Sequence, residues 1–147
     1  MQGGKLFWFA ANHPNWFGIL SRAQSWVAWK APGFMLGRLM SGAAGDDRAL
    51  MRDHAWRAGM AETLRTGLGF SATGYIGQMR RYVQDWRDLV PQVHVPVTIW
   101  QGDADNWTPP AMAEALAVAL PGEVTTVMLP GASHYTALQA ALARIEF

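Results

Sequence analysis

A chain of 147 residues with 50% hydrophobic and 16% charged side chains has the composition of one packed domain, which excludes intrinsic disorder. Its 12 basic and 11 acidic residues leave a formal charge of +1 spread along the chain, so neither nucleic acid nor an anionic membrane surface is an expected partner. The absence of cysteine excludes disulfides, thiolate metal sites and cysteine nucleophiles.

From the amino terminus, Lys5 followed by the run LFWFAA imitates a signal peptide, but six apolar residues fall short of the roughly 7 to 15 such segments need. No window approaches the ~18 apolar residues of a membrane span. A soluble, cytoplasmic protein is expected. The composition then divides near Pro91, giving a predicted helical cap or lid region over 1–90 and a βαβα portion over 91–147.

Within the first region, apolar residues at helical spacing predict a helix over Asn15 to Trp29, with Pro14 opening it and Pro32-Gly33 closing it. Phe34 to Met40 reads as a short helix. Asp46 or Asp47 is placed to cap a longer helix through Arg65, with Leu50, Met51, His54, Ala58 and Ala61 on one stripe. Ser71 is placed to cap a fourth helix to Leu89, with Tyr75, Met79, Tyr82, Val83 and Trp86 facing inward. The tryptophans are expected chiefly as core. Trp8, Trp16, Trp26 and Trp29 could alternatively line an acyl pocket.

Beyond Pro91 the period becomes that of a strand, Val95 to Trp100, whose continuous apolar character suits a parallel sheet covered on both faces. Pro109 or Pro110 then opens a helix through Leu120, and Pro121-Gly122 ends it. Val124 to Leu129 is the second strand, and Tyr135 to Ile145 the last helix. The expected class is α/β, with two parallel βα units following the cap.

Chemistry concentrates where these strands stop. Gly102-Asp103-Ala104-Asp105 follows the first and Gly131-Ala132-Ser133-His134 the second, so a carboxylate and an imidazole fall on one rim of the sheet, where open α/β sheets hold their sites. Such a carboxylate can accept from imidazole Nδ1, fix its tautomer and stabilise the imidazolium formed when Nε2 takes a proton. Asp103 reads as a solvated turn residue. Trp107, two residues beyond the acid, is the candidate substrate-binding side chain. His13, His54 and His94 have no partners at metal-ligand spacing, and neither a metal nor a cofactor is expected.

The segment from Val93 to His134 resembles the last two core strands of the α/β hydrolase superfamily, of esterase or lipase type. The resemblance implies a partial α/β hydrolase fold in which Asp105 is the relay acid and His134 the general base of a catalytic triad, with the preceding helices as an inserted cap. The family's Gly-x-Ser-x-Gly nucleophile elbow is absent. Gly69-Phe70-Ser71-Ala72-Thr73 departs from it at the last glycine and follows a helical segment instead of a strand. Ser71, Ser133 and Ser41 are the candidate nucleophiles, in that order. Since a whole family domain runs to about 250 residues, the chain is expected to be its carboxyl-terminal half. The implied reaction is hydrolysis of a small apolar ester through an acyl-enzyme, and the alternative is a catalytically silent fragment serving as an oligomeric assembly or binding module. Two isolated parallel strands expose unpaired edges, which predicts a homo-oligomer or a requirement for the missing amino-terminal half.

Overall fold

The computed structural model describes residues 4–145. It contains eight α-helices and two strands among those residues: α1 (Gly4–Asn12), α2 (Pro14–Lys30), α3 (Pro32–Met40), α4 (Asp47–Leu50), α5 (His54–Leu68), α6 (Thr73–Tyr82), β1 (Val97–Gly102), α7 (Pro110–Ala119), β2 (Val124–Leu129) and α8 (His134–Leu142). The chain forms two compact units. One holds the helices up to Gly42 together with Ala49–Gln84; the other joins Ala43–Arg48 to the chain from Asp85 onward.

In the helical unit, Pro14 and Pro32 sit in the first turns of α2 and α3, where a missing amide proton costs nothing. The core is small. Ala10 from α1, Phe17 from α2, and Ala72, Ile76 and Met79 at α6 are buried together, with Leu6, Phe7, Phe9, Tyr75 and Val83 packed around them. Most tryptophans do not contribute: Trp8, Trp16, Trp26, Trp29 and Trp86 are all exposed, which corrects the expectation that they are chiefly core. Apolar spacing marks a helix but does not say that every large side chain on it finds a neighbour.

Two of the predicted helices also differ in their bounds. The helix expected from Asp46 or Asp47 to Arg65 is interrupted: α4 is a single turn, and Asp53 caps a separate α5 by accepting from the amides of Ala55 at 2.8 Å and Trp56 at 3.1 Å. Ser71 is not the cap of α6. That position belongs to Ala72, whose φ of 54° is left-handed, while the Ser71 hydroxyl shares a hydrogen bond with Thr73 Oγ1 at 2.8 Å. The helix stops at Tyr82, short of Leu89, so Trp86 falls outside it.

The βα unit contains one two-stranded parallel sheet among the described residues, in register from Val97 opposite Val124 to Gly102 opposite Leu129. β1 starts two residues later than predicted. Pro96 has no amide proton to donate, and the first rung is the Val97 amide donating to Glu123 O at 2.9 Å. Both α7 and α8 pack on the sheet, and Leu129, Ala132 and Ala137 form its buried centre with Trp100, Val127 and Ala140 against them. The fold is therefore mixed, with helix predominating over one small parallel sheet.

Candidate active site

Because β1 and β2 are parallel and in register, their carboxyl ends, Gly102 and Leu129, lie side by side, and the loops beyond them meet. Backbone bonds then lace the two loops together. The Asp103 amide donates to Leu129 O at 3.3 Å and the Ala104 amide to Ala132 O at 3.0 Å. In return the Gly131 amide donates to Asp103 Oδ1 at 2.8 Å, so Asp103 is a tie between loops and not a freely solvated turn residue. Gly102 must be glycine for this approach, since a Cβ there would lie 2.7 Å from the Ala132 carbonyl carbon.

This lacing delivers the pair anticipated from spacing. His134 Nδ1 lies 2.9 Å from Asp105 Oδ2. Asp105 is 6% exposed, and its carboxylate is fully engaged: Oδ1 accepts from the amides of Trp107 at 2.8 Å and Thr108 at 2.9 Å, and Oδ2 also accepts from the Thr108 hydroxyl at 2.8 Å. Burial pushes the Asp105 carboxyl upward. The hydrogen bonds from the Thr108 amide, His134, the Thr108 hydroxyl and the Trp107 amide outweigh it and hold the acid below the ordinary carboxylate range.

An ionised carboxylate can only accept, so the proton in this hydrogen bond belongs to Nδ1, and in a neutral ring the lone pair is then on Nε2. The imidazole side chain is 39% exposed, open enough for a reactant to approach. Trp107 stacks on it, with ring centroids 5.7 Å apart and planes 18° from parallel, and Tyr135 meets the imidazole edge-on at 5.5 Å. Trp107 therefore lies against His134 itself. Burial, and then the charge of Asp47, raise the Tyr135 phenol above its ordinary range.

The three serines are placed differently. Ser133 is adjacent to His134 in sequence but has no solvent exposure and occupies the N-cap of α8. Ser41 ends α3 and donates to Arg38 O at 2.8 Å, and Ser71 is paired with Thr73 as above. The hydrogen bonds of the imidazole run to Asp105 and, at 3.4 Å, to Thr108, and none of these hydroxyls is among them.

Sequence reasoning missed two residues that shape the site. Gln101, buried at the end of β1, donates to Gly102 O at 2.8 Å and Thr108 O at 2.9 Å, holding the acid loop closed. A buried glutamine among apolar strand residues is a visible signal, because its amide must find partners. Asp47 is the other, and its ties are to α8. No group of three or more potential metal-ligating side chains occurs among the described residues, nor any helix long and apolar enough to cross a membrane.

Comparison of the chain with family models, curated proteins and solved structures finds no match.

Proposed function

We propose that the βα unit carries the acid and base of a serine hydrolase relay of the α/β hydrolase type, acting on carboxylic esters of moderate apolar character. The single observation that carries this reading is the 2.9 Å contact between His134 Nδ1 and a buried, fully hydrogen-bonded Asp105. In this reading His134 Nε2 takes the proton of the attacking hydroxyl as the new carbon–oxygen bond forms. It returns that proton to the departing alkoxide, and then repeats the cycle with water to release the acid. Asp105 stabilises the imidazolium present between these transfers. Trp107, beside the imidazole, is the side chain an apolar acyl or alkoxy group would meet first.

The proposed cap is the helical region over 1–90, and the nucleophile enters from chain outside these 147 residues, as do the strands that complete the sheet; a second copy of the chain is the other source of a covering surface. Support for that comes from the edges left by a two-stranded sheet and from exposed Val95, Met128 and Val118 in the same unit. Light scattering on the eluting protein tests it: a stable monomer at micromolar concentration counts against self-association.

The decisive experiment combines turnover of short-chain p-nitrophenyl esters with labelling by a serine-reactive fluorophosphonate. With the chain that supplies the nucleophile present, an active relay predicts labelling of one serine, its loss in His134→Ala, and a fall in turnover of about 10⁴ in Asp105→Asn, where the wrong tautomer is favoured. Absence of both labelling and turnover favours the second reading, a silent assembly or binding module. The specific observation behind that alternative is that Ser41, Ser71 and Ser133 are all engaged or buried away from the imidazole's hydrogen bonds.

A further inference from the structure

Asp47 is 1% exposed, yet it belongs to a one-turn helix that needs no buried carboxylate of its own. Its oxygens are turned to α8. Oδ2 accepts from the Tyr135 amide at 3.0 Å, and Oδ1 accepts from the Thr136 amide at 2.8 Å and the Thr136 hydroxyl at 2.7 Å. Thr136 Oγ1 in turn accepts from the Ser133 amide at 2.8 Å. The first turn of a helix has amides without intrahelical partners, and a side chain from the N-cap residue ordinarily serves them. Here a carboxylate from a segment 88 and 89 residues earlier in the chain takes the second and third of these amides, and the first residue of that turn is His134.

The segment around Asp47 is itself anchored to both relay loops. The Asp46 amide donates to Gly131 O at 2.9 Å, in the loop that leads to His134. Gly45, at φ +49°, lies so close to the acid loop that a Cβ would stand 2.7 Å from Ala104 Cβ. Three consecutive residues thus touch the loop before Asp105, the loop before His134 and the turn that contains His134.

We propose that Asp47 is a positioning residue of the relay: through the amides of Tyr135 and Thr136 it fixes the helical turn from which His134 projects, and so the aim of the imidazole. The assignment rests on the relay reading. An imidazole that gains and loses a proton in each half-reaction has to keep Nε2 on target in both charge states, and a displacement of about 1 Å can cost 10²-fold in rate. The hydrogen bond to Asp105 restrains only one edge of the ring. A negative charge at the start of α8 also suits the partial positive charge of a helix amino terminus.

The test reads the imidazole directly and needs no turnover. Long-range proton–nitrogen correlation spectra report the His134 tautomer, and amide hydrogen exchange reports the first turn of α8. In the unmutated protein a single Nδ1–H tautomer is expected, abolished by Asp105→Asn; failure to see it overturns the relay reading, and this assignment with it. Asp47→Asn sets an NH2 group against one of the helix amides. With the relay intact, that variant is expected to accelerate exchange at Tyr135 and Thr136 about tenfold or more and to give His134 a mixed tautomer. Asp47→Glu, which keeps a carboxylate but displaces it by one methylene, is expected to produce the same mixing to a smaller extent, and it decides the matter if Asp47→Asn does not fold. Asp53→Asn, at the cap of α5, is expected to leave the imidazole unchanged. Fast exchange at Tyr135 and Thr136 with an unaltered His134 tautomer overturns the assignment, leaving Asp47 as a helix cap only and the relay untouched.

Discussion

Six helical glycines of one compact unit and two glycines of the other live under opposite constraints. Gly33, Gly37, Gly59, Gly67, Gly74 and Gly77 lie within helices of the helical unit, and none has an atom within 4 Å of where a Cβ would stand, apart from its neighbours and its own helix backbone. In the βα unit, Gly45 and Gly102 have neighbours at 2.7 Å from that point. Both units bury a core, but α5 has no buried residue along its 15, whereas Asp47, Gln101, Asp105 and Ser133 are buried around the meeting point of the two βα loops. The contrast teaches that geometry is tightly specified where Asp105 and His134 meet and loosely specified along α5, while the helices around it leave tryptophan exposed.

The largest expected effect that could break this comparison is Gly102→Ala. The new methyl group meets Ala132 backbone, which cannot rotate aside, and overpacking of this kind costs about 3 kcal/mol. Urea unfolding followed at the amides of β1 and β2 measures it, and a cost below about 1 kcal/mol would mean that the loops are not locked.

Next in size is the acid response of the same unit. The Asp105 carboxyl lies below its ordinary value in the folded chain, so the unfolded chain binds a proton more readily. Stability from this group is complete above the ordinary carboxylate pKa and is lost as pH falls through the lowered folded value. The βα unit should loosen as the pH drops below about 4, and Asp105→Asn should remove that dependence. Glu62 is also held low, by its hydrogen bond to Arg65, but that pair lies on the solvent-exposed surface, so its contribution should shrink in high salt while that of Asp105 persists.

How much of this is legible in the sequence depends on how local its causes are. β2 is bracketed by Pro121-Gly122 and Pro130-Gly131, and its bounds, Val124 and Leu129, are those that the pattern predicts. The meeting of Asp105 and His134 is legible for the same reason, since one strand–helix–strand passage between two parallel strands leaves little choice of rim. The role of Asp47 is not, because its partners lie 88 and 89 residues away and its own neighbourhood reads as an ordinary helix start. The break at Asp53 is missed because the apolar stripe continues in phase across Met51-Arg52 while the chain makes a turn. Exposure of the tryptophans is hidden because periodicity reports a face and not what covers it.

Asp53→Ala comes third, at about 1 kcal/mol, since it strips the acceptor from the Ala55 and Trp56 amides. If α5 is as loosely held as its lack of buried residues implies, the loss should appear as faster exchange confined to its first turn. A loss spread over α2 and α3, which pack on α5, would show that the helices are more tightly coupled than their exposure suggests.

The smallest effect has the opposite sign. Gly59 lies mid-way along α5 with open space where a Cβ would go, and its helical backbone gains nothing from lacking one. Gly59→Ala should therefore stabilise the helical unit by about 0.5–1 kcal/mol, mainly by narrowing the unfolded ensemble. Thermal unfolding and exchange along α5 measure it. A destabilising result would mean that the empty space beside Gly59 is reserved for something that packs there, and the contrast between locked βα loops and a slack α5 would then have to be redrawn around that occupant.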